Sequence, residues 1–134
     1  MNEYGEILKS EVKKRKLEKN ILFLGFRKDI PEVLSIFDVF ILTSHSEGTP
    51  VVLLEAMASK CPVVASAVGG NIKLIQHIEN GLLYDVNNID GLCTSVLTIY
   101  ENQELKQKLI ASAYKKVCFE FDLKKMIKKY ERLI

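Results

Sequence analysis

EGTPVVLLEAMASKCPVVASAVGGN, residues 47–71, decides how this chain is read. A polar loop with one glycine runs into Pro50, and an apolar stretch of helix length follows. Proline suits the first turn of a helix because its φ is preset and its missing N–H would be an orphan there anyway. Thr49, just before it, is an acceptable N-cap, and the inward series of this helix is read as Val51, Leu54 and Ala58. The run PVVA at 62–65 is short, apolar and without alternation, which predicts a strand covered on both faces. It gives way to a second glycine-bearing loop, Gly69-Gly70, read as a turn.

Outward from this stretch the pattern repeats. Upstream, 38–43 (DVFILT) is β-branched and aromatic and predicts a strand. A helix opening at Pro31 should precede it, with Ile30, Val33, Leu34 and Phe37 on its core face. The apolar run 21–24, closed by Gly25, predicts another buried strand, and residues 3–19 a charged surface helix bearing Tyr4, Ile7, Leu8 and Val12. Downstream, a short helix through Leu74, Ile75 and Ile78 leads to the turn Asn80-Gly81 and a strand at 82–84. From Asp90 the periodicity is helical to the end, with three successive apolar faces: Leu92, Val96, Ile99 and Tyr100; then Leu105, Leu109, Ala113 and Val117; then Leu123, Met126, Ile127, Tyr130 and Leu133. Strands alternating with helices predict a parallel sheet flanked by helices, a Rossmann-like α/β domain over residues 1–134.

The 134 residues suffice for one domain, with 48% hydrophobic and 27% charged residues. A net charge of +2 and the absence of tryptophan give no footing for nucleic acid. Cys61, Cys93 and Cys118 are widely spaced, without C-x-x-C or histidine at metal spacing, and read as reduced, mostly buried thiols of a cytosolic protein. Neither a signal-peptide core nor an apolar run of about 20 residues is present, so the chain reads as soluble and cytoplasmic.

In an open parallel sheet ligands bind beyond the carboxyl ends of strands. Two loops fall there: SHSEGTP, residues 44–50, and SAVGGN, residues 66–71. Gly48 lets the backbone approach a ligand, and the helix after Pro50 points its positive end at the loop, which favours an anion such as a diphosphate. Glu47 and Glu55 have two readings. They are a dipole-stabilised loop carboxylate and a solvated helix residue, or they accept hydroxyls of a ligand carrying both diols and phosphate, a nucleotide-sugar. Gly69-Gly70 is either a plain turn or a wall of the same cleft. GxGxxG and GxxxxGK[ST] are both absent, which removes the dinucleotide and P-loop readings. His45 reads as a polar loop group and His77 as structural. The basic runs 13–16, 124–125 and 128–129 read as solvated faces, with peripheral contact to anionic lipid as the other option.

At these residues the chain resembles glycosyltransferase family 4, enzymes of the GT-B fold. Glu47 and Glu55 match its E-x7-E motif, followed in order by Ala56-Met57-Ala58, Pro62-Val63-Val64-Ala65-Ser66 and Gly69-Gly70. Phe23-Leu24-Gly25-Phe26, the segment 38–44 and Asn80-Gly81-Leu82-Leu83 fit the flanking segments. The resemblance implies the C-terminal, donor-binding half of such an enzyme, one that retains anomeric configuration, usually needs no metal, and holds no tight cofactor. Its donor is a nucleotide-diphosphate sugar. The implied catalytic residue is Glu47, at the donor sugar. Ser46, Gly48, Thr49 and Pro50 would shape the cradle, Val51 and Val52 would offer amides to the diphosphate, and Glu55 would hold the ribose. Gly25, Phe26 and Arg27 would lie near the base, and Gly69 and Gly70 would wall the cleft. The chain departs from the pattern at Lys60, where glycine is usual, and at Ile72-Lys73, where Pro-Glu is usual, which reverses a charge beside the cleft. The family's first strand and helix of this domain, and its acceptor-binding domain, are expected ahead of residue 1. Transfer to a sugar, lipid or polysaccharide acceptor is therefore expected only with that partner domain or chain, at the cytoplasmic side of the inner membrane. The alternatives are a non-catalytic nucleotide-sugar-binding module and a degenerate remnant.

Overall fold

The computed structural model describes residues 3–121. Its elements are α1 (Glu3–Lys14), α2 (Ile30–Ser35), β1 (Phe40–Leu42), α3 (Val51–Ala58), β2 (Val63–Ser66), α4 (Gly69–Leu74), β3 (Leu82–Tyr84), α5 (Ile89–Glu101) and α6 (Gln103–Glu120). The strands form one parallel sheet in the order β1-β2-β3, with Ile41 beside Val64 and Val64 beside Leu82.

β2 is the centre of the molecule, and all four of its residues are buried. Its side chains alternate between two cores, as the pleat requires. Val63 and Ala65 join Leu53, Ala56, Met57, Cys61, Leu74 and Ile75 on one face. Val64 joins Leu82, Tyr84, Ile99 and Leu109 on the other. The unalternating apolar run at 62–65 is explained by this double cover. Helix α3 packs against α6, and α5 against β3. Asn88 and Asn102 cap α5 and α6, accepting from the amides of Gly91 and Leu105 at 2.8 and 2.9 Å. The expected helical C-terminal region is thus broken at Asn102, and its third apolar face, 123–133, lies outside the described residues.

Several expectations are corrected. The run 21–24 is no strand, pairs with none of the three, and leaves Leu22 81% exposed. An apolar run becomes a buried strand only when neighbours complete its ladder and cover its faces, and no described strand does so. Helix α1 ends at Lys14 rather than near residue 19, with Lys16 at φ 56°, and buries no residue. Phe37 is exposed, while Leu34 of the same helix series is buried.

The inward face of α3 is Leu53, Ala56 and Met57; Val51 and Ala58 are exposed and Leu54 is half-buried. Apolar residues surround most of this helix, so hydrophobicity sets its phase weakly. Pro50 rather than Thr49 takes the N-cap position, and no side chain caps it. Gly69 and Gly70 begin α4 instead of preceding it as a turn. Of the three thiols only Cys61 is buried, and burial pushes it up to about 11.

Candidate functional site

The two glycine-bearing loops meet at the carboxyl ends of the strands. The Gly70 amide donates to the Glu47 carbonyl at 2.8 Å. A Cβ on Gly69 would stand 2.1 Å from that carbonyl oxygen, and one on Gly70 would stand 1.8 Å from the Gly48 oxygen and 2.8 Å from Pro50 Cδ. Gly69 also holds φ +37°. Glycine is required at both positions because main chain lies against main chain there. Gly69-Gly70 is thus the surface against which residues 47–50 rest.

Side chains lock the same junction from below. Asn71, fully buried, donates from Nδ2 to the Ser66 carbonyl at 3.0 Å. Ser66 Oγ donates to the Ser44 carbonyl at 2.6 Å, and Ser44 Oγ donates to Glu47 Oε1 at 2.5 Å. Glu47 Oε2 accepts from no described residue. None of Ser44, Ser66 and Asn71 was singled out from the sequence. The spacing S-x-x-E at 44–47 was the available signal, since it brings the Ser44 hydroxyl within reach of the Glu47 carboxylate across a short stretch of loop.

Two hollows flank the junction. One, of about 280 Å³, opens beyond the sheet and is lined by Thr43, Ser44 and His45 after β1, by Ser66 of β2, and by Tyr84, Val86 and Asn87 from β3 onward. Tyr4, Ile89 and Leu92 close its sides. Burial raises the Tyr84 phenol, and the neighbouring Ser66 hydroxyl draws it partly back. The other hollow, about 180 Å³, lies under Gly48, Thr49 and Pro50, with Gly70, Lys73 and Leu74 opposite. Lys73 makes no ion pair among the described residues, so its positive charge is available to this hollow.

The remaining candidates divide. In the first turn of α3 the Val51 amide is taken by the Thr49 carbonyl at 2.9 Å. The Val52 amide donates to no described residue and is the one free to serve an anion there. Ser46 is exposed in the loop. Glu55 is exposed on α3, its carboxylate makes no bond among the described residues, and it lines neither hollow. Its place three to four residues from Val51, Val52 and Ala58 puts it on the outward face, which its charge alone demanded. Gly25, at φ 65°, Phe26, 90% exposed, and Arg27 line neither hollow. Arg27 is instead engaged by Asp29 with two hydrogen bonds, which raise the guanidinium and lower the carboxyl. His77 is structural, as expected: its Nδ1 accepts from the Leu83 amide at 2.9 Å. Among the described residues no group of His, Cys, Asp and Glu is arranged to hold a metal ion, and no helix is long and apolar enough to cross a membrane.

Comparison with known proteins assigns this arrangement. The family model of group 1 glycosyl transferases matches residues 2–116. The chain is 32% identical over 122 residues to the N-acetyl-alpha-D-glucosaminyl L-malate synthase of Bacillus anthracis, covering 91% of this chain and 32% of that protein. It is 36% identical over 89 residues to an Escherichia coli UDP-Gal:alpha-D-GlcNAc-diphosphoundecaprenol alpha-1,3-galactosyltransferase, covering 66% and 23%. Among solved structures, HepE of Anabaena in complex with UDP superposes with a TM-score of 0.93 at 28% identity, over 97% of this chain and 36% of that one. HepE has also been solved with UDP-glucose, at a TM-score of 0.92. The C-terminal domain of the Francisella tularensis group 1 protein LpcC superposes with a TM-score of 0.79 at 29% identity, over 90% and 63%. The chain thus spans about a third or less of the length of the curated relatives it matches. With this fold, these loops and this match across residues 2–116, the chain belongs to the group 1 glycosyl transferases.

Proposed function

We propose that this chain binds a nucleotide-diphosphate sugar at the junction of residues 44–50 with Gly69-Gly70, as the donor half of a retaining glycosyl transfer. The observation that carries this is the main-chain contact of Gly70 with Glu47 and Gly48 at the carboxyl ends of three parallel strands. It sets a carboxylate that can accept sugar hydroxyls beside a helix start whose Val52 amide is free for phosphate. HepE, so similar in fold, is known with UDP and with UDP-glucose, which supports uridine donors as the first to test. Glu47 is assigned to the donor sugar, Glu55 to the ribose, and Gly25, Phe26 and Arg27 to the base. Ser46, Thr49 and Pro50 shape the cradle. No tightly held cofactor or metal enters this reading.

Transfer to a sugar, lipid or polysaccharide acceptor is assigned to this chain only together with an acceptor-binding domain, because catalysis needs both reactants held in one geometry. Two observations support that division. The chain spans about a third or less of the length of the curated relatives it matches, and Ile21, Leu22, Phe23, Leu24 and Phe26, in a run that pairs with no described strand, are exposed. A cytoplasmic site of action is supported by three free thiols. Contact with the inner membrane face is assigned to the basic runs 13–16, 124–125 and 128–129 of the sequence.

Thermal melting with UDP-glucose, UDP and the corresponding GDP and ADP compounds tests the proposal. A donor at ten times its dissociation constant stabilises by about 1.4 kcal/mol and raises Tm by roughly 3–6 °C. Failure of every nucleotide-sugar to move Tm at millimolar concentration would falsify it.

A further inference from the structure

We infer that Ser44 is a positioning residue for Glu47, held in place by the buried pair Ser66 and Asn71, and that it fixes which oxygen of Glu47 faces the donor sugar. The inference rests on the donor-binding reading above and specifies how Glu47 serves it. The chain of bonds runs one way. Asn71 Nδ2 holds the Ser66 carbonyl at 3.0 Å, Ser66 Oγ holds the Ser44 carbonyl at 2.6 Å, and Ser44 Oγ reaches Glu47 Oε1 at 2.5 Å. Its base is rigid, since Ser66 is 1% exposed and Asn71 wholly buried.

The Ser44 hydroxyl is not needed to hold the loop backbone. The Gly70 amide already binds the Glu47 carbonyl at 2.8 Å, and Gly69 and Gly70 leave no room for the loop to sink further. What the hydroxyl adds is control of the Glu47 side chain. A glutamate has three rotatable bonds, and ordering them for each ligand has an entropic cost. With Oε1 committed to Ser44, that cost is met before the ligand arrives, and Oε2 remains as acceptor for a sugar hydroxyl. Asn71 is consistent with a positioning role. Its Oδ1 is buried and has no partner among the described residues, a penalty the fold retains while Nδ2 anchors Ser66. The opposite amide orientation would set Oδ1 against the Ser66 carbonyl.

Calorimetric titration of the chain with UDP-glucose and with UDP separates the possibilities, because only the first carries a sugar for Glu47. In S44A we expect about tenfold weaker binding of UDP-glucose, the worth of one hydrogen bond to a charged group, and UDP binding unchanged within a factor of two. S44T, which keeps the hydroxyl, should restore UDP-glucose binding. Equal weakening of both ligands in S44A would assign Ser44 to loop structure and overturn the inference, as would no change in either. If S44A loses its melting transition, S44C against S44T carries the same contrast, and equal ratios of the two ligands would again overturn it. Wild-type protein that binds neither ligand would sink the donor-binding reading itself, and this inference with it.

Discussion

The two flanks of β2 are built from equally apolar sequence and end in opposite states. On the β3 side, Leu82 and Tyr84 are buried, Gly81 lies against Val63, and Asn80 at 2% exposure has both ends of its amide bonded. On the β1 side, Ile41 is 39% exposed; the apolar run 21–26, which joins no described strand, leaves Leu22 81% and Phe26 90% exposed. The difference lies in closure rather than composition. The β3 flank is sealed by α5 and by the α4 turn, whereas no described element covers the run 21–26. Hydrophobicity names the residues that benefit from burial, and topology decides which of them obtain it.

Four substitutions would break or sharpen this contrast. The largest effect is expected from Gly70→Ala, whose methyl would meet the Gly48 carbonyl and Pro50. Urea denaturation should show a loss of about 3 kcal/mol or more, together with loss of nucleotide-sugar binding. A stability change under 1 kcal/mol would mean that the two loops do not interlock. Next comes Asn80→Ala, which leaves the Gln76 amide and Leu74 carbonyl without partners and should cost about 2 kcal/mol. Lys60→Gly should act in the other direction. Lys60 sits at φ 58° at the end of α3, where glycine costs less by about 1 kcal/mol. Against this stands its ammonium, 4.9 Å from the Tyr114 ring centroid, worth about 0.5 kcal/mol. A net gain near 0.5 kcal/mol is expected, and a net loss would show that the ring contact dominates. The smallest effect belongs to the unpaired run 21–26: Leu22→Ser, at a residue 81% exposed, should change stability by less than about 0.5 kcal/mol. A cost of 2 kcal/mol there would mean that the apolar run is buried in solution by something not yet identified.

How far the fold was legible follows the same division. The double-covered strand at 62–65 and the helices after it were readable because each local signal agreed with the global packing. The run 21–24 misled because its residues ask for a strand while the described sheet supplies no partner. Helix α3 was phased wrongly from Val51, Leu54 and Ala58. Glu55, its only charged residue, fixes the outward direction and with it Val51 and Ala58. At the candidate site, Glu47, Gly48, Pro50, Gly69 and Gly70 were found from the sequence and the structure brings them together. Gly25, Phe26 and Arg27 were named on resemblance and Glu55 was read beside Glu47 from the residues; none of these four lines either hollow, and Glu47 and Gly69 do not line them either. Ser44, Ser66 and Asn71 escaped notice: the Ser66–Ser44 bond joins residues 22 apart and leaves no local periodicity, while the local Ser44–Glu47 and Asn71–Ser66 bonds are made by residue types that are ordinary in loops.

Because residues 47–50 and Gly69-Gly70 touch through peptide atoms, the shape of their junction does not depend on which side chains those loops display. Residues such as His45, Ser46, Thr49 and Lys73 can therefore drift in identity while the recess keeps its outline. A lineage carrying this joint has freedom to change what it recognises without first dismantling how it is built. Its two glycines pay for that freedom by being the positions at which variation is least tolerated.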